Sequence, residues 1–324
     1  MATAQLTDLT ADVVICAYTE DRWEMLRRAV ASVRRQTVPP QQVLVCVDHN
    51  ETLLERCRRE WAADSTPGPP VRVLRNRHAG RLGSARNTAV EQVTADVVAF
   101  LDDDAEAEET WLERLLQVYA ESAAVAVGGA PLPNHTVPRP GWFPPEFDWV
   151  FGCHYAGLPE DRRPVRHLIG ASMSVRTAAL RAVGGFHSDK HDDMDLSHRI
   201  AAAHGAPAVV YEPAARIHHV VHPERLTWDY FWRRCYTINR GKVRAFSDMG
   251  AAGNIRAELE FAARMAGSVV RYLLRGLRGD ADAVRRAGAI VAGLATAAAG
   301  HLRGRLDLRT GRLPVSLTVG LDPL

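Results

Sequence analysis

The 324-residue sequence has few features that would assign it quickly. It has no Cys-x-x-Cys pair. Its five cysteines, Cys16, Cys46, Cys57, Cys153 and Cys235, are odd in number and scattered. That spacing argues against a zinc site or a disulfide frame and predicts reduced thiols in a cytoplasmic protein. The N-terminal MATAQLTDLTADVV has neither a basic region nor an apolar one, so no signal peptide is expected. The Ala/Gly-rich uncharged run Ala287 to Gly300 is shorter than the roughly 18 apolar residues of a spanning helix. There is no internal repeat and no large charge imbalance, since the net charge is +2. From Ala251 onward, however, 11 arginines face 6 acids with no lysine. A near-neutral body with a basic tail argues against general nucleic-acid binding and predicts an anionic surface near the C-terminus. With 47% hydrophobic and 24% charged residues the chain can build a sizeable core.

One stretch organises what is present. The apolar run Val97-Val98-Ala99-Phe100-Leu101 ends in three aspartates, Asp102, Asp103 and Asp104. The run reads as a strand buried on both faces. Three like charges at its end are costly unless a divalent cation, shared with a phosphate group, compensates them. A plainer reading makes them caps of the helix starting near Trp111, although one aspartate would suffice for that. Before this run, strands over Asp12–Ala17, Val43–Val47 and Val71–Leu74 alternate with helical segments over Arg22–Gln36, around Leu53–Cys57, and over Gly80–Val93. That alternation predicts βαβ units and a mostly parallel sheet, whose ligands bind beyond the carboxyl ends of the strands. Tyr18 to Glu20, Asp48 and the acidic cluster all fall there.

Downstream, Gly80-Arg81-Leu82-Gly83-Ser84-Ala85-Arg86-Asn87 suits a phosphate at a helix start, or is simply a helix start with solvated arginines. It lacks the GxGxxG order, so a dinucleotide fold is not supported. The Pro- and aromatic-rich stretch from Pro131 through Trp149 is expected to be non-helical, as an acceptor platform or a lid. Leu168 to Val175 and Ala208 to Tyr211 read as strands. Asp192 and Asp193 open a helix; one such acid is normally a cap, but three acids in four residues also fit a general base. Beyond the last strand, His218, His219 and His222 offer a metal ligand. From Leu226 the pattern is helical, with long helices over Ile255–Leu277 and Ala283–Leu302. Arginines punctuate their apolar stripe, which fits either a monotopic membrane-surface tail or a dimerising hairpin.

The segments VVICAYTE, VDHN, GRLGSARNTAV, FLDDDAEA, GASMSVRTAALRAVGGF and DDMDLSHR occur in the order seen in inverting family 2 glycosyltransferases, which the chain resembles over roughly residues 11 to 222. WFPPEFDWVFG and the aromatic-arginine helix further resemble a branch of actinobacterial transferases similar to polyprenyl-phosphate-sugar glucuronosyltransferases. The resemblance implies an α/β GT-A fold over residues 1–222, a helical appendage over 223–324, and a nucleoside diphosphate sugar donor, UDP by default. It implies that Ala17, Tyr18 and Glu20 line the nucleobase pocket and that Asp48 accepts from the base N3–H. Arg81 and Arg86 would lie near the diphosphate, Asp102 and Asp103 on the ribose and metal side, and Asp104 on Mn2+ or Mg2+ with one of the three histidines. Asp193 would be the base toward the acceptor hydroxyl, although the family's Glu-Asp is Asp192-Asp193 here and either can serve. Cys16-Ala17 replaces the more usual Pro-Thr or Pro-Ala of the first loop. The acceptor is left open among a lipid-linked sugar, a glycan and a small secondary metabolite, and a homodimer or a peripheral place at the inner membrane face fits the tail.

Two other readings compete. A haloacid-dehalogenase-type phosphatase would use Asp102 as nucleophile and Asp104 as acid, but Glu106 stands where that motif has Thr or Val. A sugar-nucleotide-binding protein without turnover would require Asp192 and Asp193 to point away from the metal.

Overall fold

The computed structural model describes residues 9–62, 67–79, 81–187, 191–245 and 251–311. The start of the N-terminal segment (Met1 to Asp8) and Gly80, the expected lead of a helix, lie outside the described residues. In chain order, β1 (Ala11–Ala17) leads through a one-turn 3-10 helix to α1 (Trp23–Arg34). Then come β2 (Gln42–Val47), α2 (Glu51–Ala62), β3 (Val71–Arg75), α3 (Leu82–Val90), β4 (Val97–Asp102), the short β5 (Ala105–Ala107) and α4 (Trp111–Glu121). After β6 (Ala126–His135) follow β7 (Arg163–Pro164), β8 (Ser172–Arg176), α5 (Thr177–Ala182), α6 (Asp192–His204) and β9 (Val209–Val221). Three helices end the described chain: α7 (Trp228–Ala245), α8 (Ala251–Gly276) and α9 (Ala281–Arg309).

The strands form one sheet in the order β3-β2-β1-β4-β8-β6-β9-β5, with β7 against β9. β3, β2, β1 and β4 are mutually parallel, as the βαβ alternation requires. Beyond β4 the sheet is mixed, because β8 runs antiparallel to both β4 and β6, and β5 and β7 run antiparallel to β9. Both faces are covered. Val13, Ile15, Val97, Ala99 and Leu101 pack with α1, α2 and α4, whereas Val14, Val98 and Phe100 pack on the other side with α3, α5 and α6. Period-two alternation within a continuously apolar run is what a doubly covered strand produces.

Two compact units emerge. One holds the sheet from its start to Leu132 together with Pro159–His219; the other joins Pro133–Leu158 to the helices after Val220. The aromatic stretch belongs to the second unit for a simple reason: Phe143, Phe147, Val150 and Phe151 are buried with Phe231, Met265, Tyr272 and Ile290. Its expected lack of helix is corrected, since Pro145–Phe151 forms a 3-10 helix. Proline is tolerated in the first turn because the N–H it lacks would have no partner there. β9 is also longer than expected and carries His218 and His219 within it. Cys46, Cys57, Cys153 and Cys235 are buried and Cys16 partly so; burial pushes the thiols of Cys46, Cys57 and Cys235 up to about 12 and Cys16 well above its usual value. No described helix is long and apolar enough to cross a membrane.

β6 passes close against β9 at Gly129. A Cβ there would strike the Ala215 carbonyl oxygen and stand 2.5 Å from Ser172 Oγ, which accepts a hydrogen bond from Trp111 Nε1. Gly129→Ala should therefore cost about 1–3 kcal/mol, read as a lower denaturation midpoint at unchanged slope.

Candidate active site at the ends of the parallel strands

The site begins where β4 stops. Cys16 and Asp102 are register partners at the ends of β1 and β4, so the first aspartate emerges beside the first loop. The chain then turns at Asp103–Asp104 into β5, whose Ala105 lies opposite His219 and whose Glu106 lies opposite His218 on β9. Opposed residues of an antiparallel pair share a face and neighbours alternate. His219 is thereby turned toward the acids, with Nε2 3.2 Å from Asp104 Oδ1 and 3.9 Å from Asp102 Oδ2. His218 is turned the other way, 3.3 Å from Glu108. His222 follows β9 and belongs to the second unit. Among the described residues, Asp102, Asp104 and His219 form the group able to hold a metal ion, their ligand atoms within 4.8 Å of one another. Two carboxylates and one imidazole converging on one point fit a small divalent cation.

Asp103 leaves this group. Its Oδ1 accepts from Arg22 Nη1 at 2.8 Å, and the same nitrogen lies 3.2 Å from Asp104 Oδ2. Burial nevertheless pushes the Asp103 carboxyl up to about 7, with Arg22 opposing and Asp104 adding to the rise. Asp102 is raised as well, by burial first, against the pull of Arg86.

Arg86 is the central cation. Lying in α3 and only 2% exposed, it donates to Asp192 Oδ2 at 2.5 Å, to the Gly170 carbonyl at 3.1 Å and to Asp102 Oδ1 at 3.4 Å. Its guanidinium also lies over the rings of Phe100 and Phe186. Burial works against its charge, and Asp192 and then Asp102 more than offset that. Asp193 is placed differently: Oδ2 accepts from Gly170 N at 3.0 Å and Oδ1 from Met194 N at 2.8 Å. Burial, then the adjacent Asp192 carboxylate, push Asp193 up to about 6.

The first loop and β2 supply the other flank. Ala17 is buried, and its carbonyl accepts from Asp48 N at 2.8 Å; Tyr18 is exposed beside Arg22, and Glu20 opens the 3-10 turn. Asp48 Oδ1 accepts from Asn76 Nδ2 at 2.7 Å. Asn76 also reaches Ser84 and Thr88 of α3, so one buried amide fixes the carboxylate against two elements. A cleft of about 430 Å³ opens here, bordered by Val47, His49, Asn50, Arg75 and Asn76. Arg81 is exposed at the start of α3, while Arg86 is turned inward. Arg22 and Asn76 carry geometry that sequence reasoning did not single out. Asn76 could have been found, since it follows β3 as Asp48 follows β2.

Residues 12–184 match the model of the glycosyl transferase family 2 domain, more than half of the chain. The chain belongs to this family. It is 31% identical over 242 residues to the glucosyl-dolichyl phosphate glucuronosyltransferase of Haloferax volcanii, covering 69% of this chain and 75% of that protein. Among solved structures it is similar to the mannosyltransferase PcManGT from Pyrobaculum calidifontis in complex with GDP-Man and Mn2+. That likeness has TM-score 0.56 and 19% identity, over 96% of this chain and 84% of the other. It is also similar to GalNAc-T7 with UDP, GalNAc and Mn2+, with TM-score 0.54 and 16% identity; 79% of this chain matches 54% of that one. These likenesses establish a GT-A fold for this family 2 glycosyltransferase and set the phosphatase reading aside.

Removing Arg86 would leave two buried or half-buried carboxylates facing each other. Arg86→Ala should cost about 3–5 kcal/mol by chemical denaturation, because a lost partner strands a charge. A cost under about 1 kcal/mol would show that water replaces the guanidinium.

Proposed function

We propose that this chain is a metal-dependent inverting glycosyltransferase that moves a sugar from a uridine diphosphate donor to a hydroxyl of a lipid-linked sugar. The observation that carries this reading is the convergence of Asp102, Asp104 and His219, tied through Arg86 to the Asp192–Asp193 pair. Mn2+ or Mg2+ held by the first three residues would neutralise charge on the leaving diphosphate. Asp48, oriented by Asn76, is suited to accept from an N–H of the base, with Ala17, Tyr18 and Glu20 bordering it. Arg81 is suited to the diphosphate, and Asp103 steadies the acid turn through Arg22. The acceptor class is supported by the Haloferax relative, whose name describes a dolichyl phosphate-linked sugar. The cytoplasmic setting expected from the cysteines is part of the same proposal.

Of the two candidate bases, Asp193 is favoured. Asp192 is held in an ion pair with Arg86, and a carboxylate engaged by a guanidinium is a weak proton acceptor. Asp193 has only backbone donors on its oxygens and a carboxyl raised toward neutrality, which suits general-base work. As the acceptor oxygen bonds to the anomeric carbon and the bond to the diphosphate oxygen breaks, the hydroxyl proton passes to Asp193. A single displacement of this kind inverts the anomeric centre.

Thermal stabilisation with nucleoside diphosphates tests the donor side without knowledge of the acceptor. UDP with Mn2+ or Mg2+ should raise Tm, UDP without metal much less, and Asp104→Ala should remove the metal-dependent part. A larger rise with GDP than with UDP would reassign the base, and no rise with any nucleotide would overturn the reading. Asp193→Asn should lower turnover by about 10²–10⁴-fold while leaving the UDP shift in place. Because the base acts as the carboxylate, kcat/KM should hold above about pH 6 and fall as pH drops through it. Loss of that acid limb in Asp192→Asn and not in Asp193→Asn would exchange their roles.

A further inference from the structure

Helix α8 carries two apolar stripes where one would suffice. Met265, Ser268 and Tyr272 face inward and are buried in the helical unit, as a packed amphipathic helix requires. On its other side Ala266, Val270, Leu273 and Leu274, continued by Leu277 just past the helix end, repeat at the same helical spacing and are exposed: Val270 is 57% exposed, Leu274 54% and Leu277 84%. Val284, at the start of α9, extends the patch; a Cβ at Gly276 would strike it, so the two helices meet closely at this turn. Isolated exposed leucines need no explanation, but a continuous stripe at the end of a hairpin marks a contact surface.

The charges around the stripe select the partner. Arg264, Arg275 and Arg278 are exposed along the same segment, Arg271 is exposed but paired with Glu146, and no Asp or Glu occurs between Phe261 and Gly279. A second copy docking through the same stripe about a two-fold axis would bring arginines against arginines. A neutral apolar partner would supply no counter-charge to Arg264, Arg275 and Arg278, whereas Arg271 already has one in Glu146. We infer that this face of α8 lies in the headgroup layer of an anionic lipid surface, with Val270, Leu273, Leu274 and Leu277 in the acyl boundary and the arginines on lipid phosphates. An apolar stripe bordered by basic residues is the pattern of an interfacial helix, and anionic headgroups supply the matching field. The inference does not depend on the acceptor, since it concerns lipid as a surface and not as a substrate.

Flotation of the full chain with vesicles tests it. The probes are phosphatidylcholine vesicles with about 30% phosphatidylglycerol and vesicles of phosphatidylcholine alone, both free of any glycolipid. Binding should be about tenfold stronger to the anionic vesicles and should weaken between about 0.1 M and 0.5 M salt. L274E/L277E, which alters side chains exposed to solvent, should cut flotation about tenfold or more with Tm and the UDP shift unchanged. Arg275→Glu with Arg278→Glu should remove the preference for anionic lipid. Equal flotation of wild type and L274E/L277E would overturn the inference. So would a wild type that ignores vesicles and sediments as a dimer split by L277E, which would assign the face to a second copy.

Discussion

A single buried guanidinium holds the catalytic half of the molecule together. Arg86 reaches Asp192 at the head of α6, Asp102 at the tip of β4 and the carbonyl of Gly170 ahead of β8. Those segments are far apart in sequence, and each brings a polar group that would be costly to bury alone. A charge inserted among them turns mutual repulsion into a shared attraction. The Asp193 carboxyl remains raised, so the compensation is incomplete, which leaves this residue poised near neutrality.

The mixed sheet divides the labour around that cation. The parallel half, β3 to β4, ends its strands on one side and delivers Asp48, Asn76 and the acid turn to a common edge. The antiparallel half contributes what parallel strands could not. β9 comes back past β5 and sets an imidazole beside the acids, and the turn leading into β8 brings the Gly170 amide to the start of α6. Arg22, from the turn before α1, holds the middle aspartate out of the way, so the other two face His219.

Much of this was legible from residue order. The apolar run from Val97 to Leu101 alternates faces as a doubly covered strand should, and both acid pairs fall where strand ends and helix starts were expected. Local pattern could not show the pairing across the sheet. Which of His218, His219 and His222 joins the acids depends on the register of β5 against β9, and β5 is only three residues long. The role of Arg86 was hidden for a related reason: in sequence it looks like a diphosphate contact or a solvated arginine at a helix start, and only the packing of Phe100 and Phe186 around it reveals a buried charge. The aromatic stretch departs from its expected lack of helix because proline breaks a helix interior yet is tolerated in a first turn. The second apolar stripe of α8 was visible as hydrophobicity, yet its exposure depends on which face Tyr272 and Met265 turn inward.

The state of the thiols has a practical corollary. Four of the five are shut away from solvent, and the fifth, Cys16, sits where burial and nearby acids suppress its thiolate. Thiolate is the form that alkylating reagents attack. The native chain should therefore react slowly with maleimides while folded, Cys16 included. A cysteine engineered on any open surface would be labelled almost alone, making the protein suited to fluorescence or spin-label spectroscopy without first stripping its own cysteines.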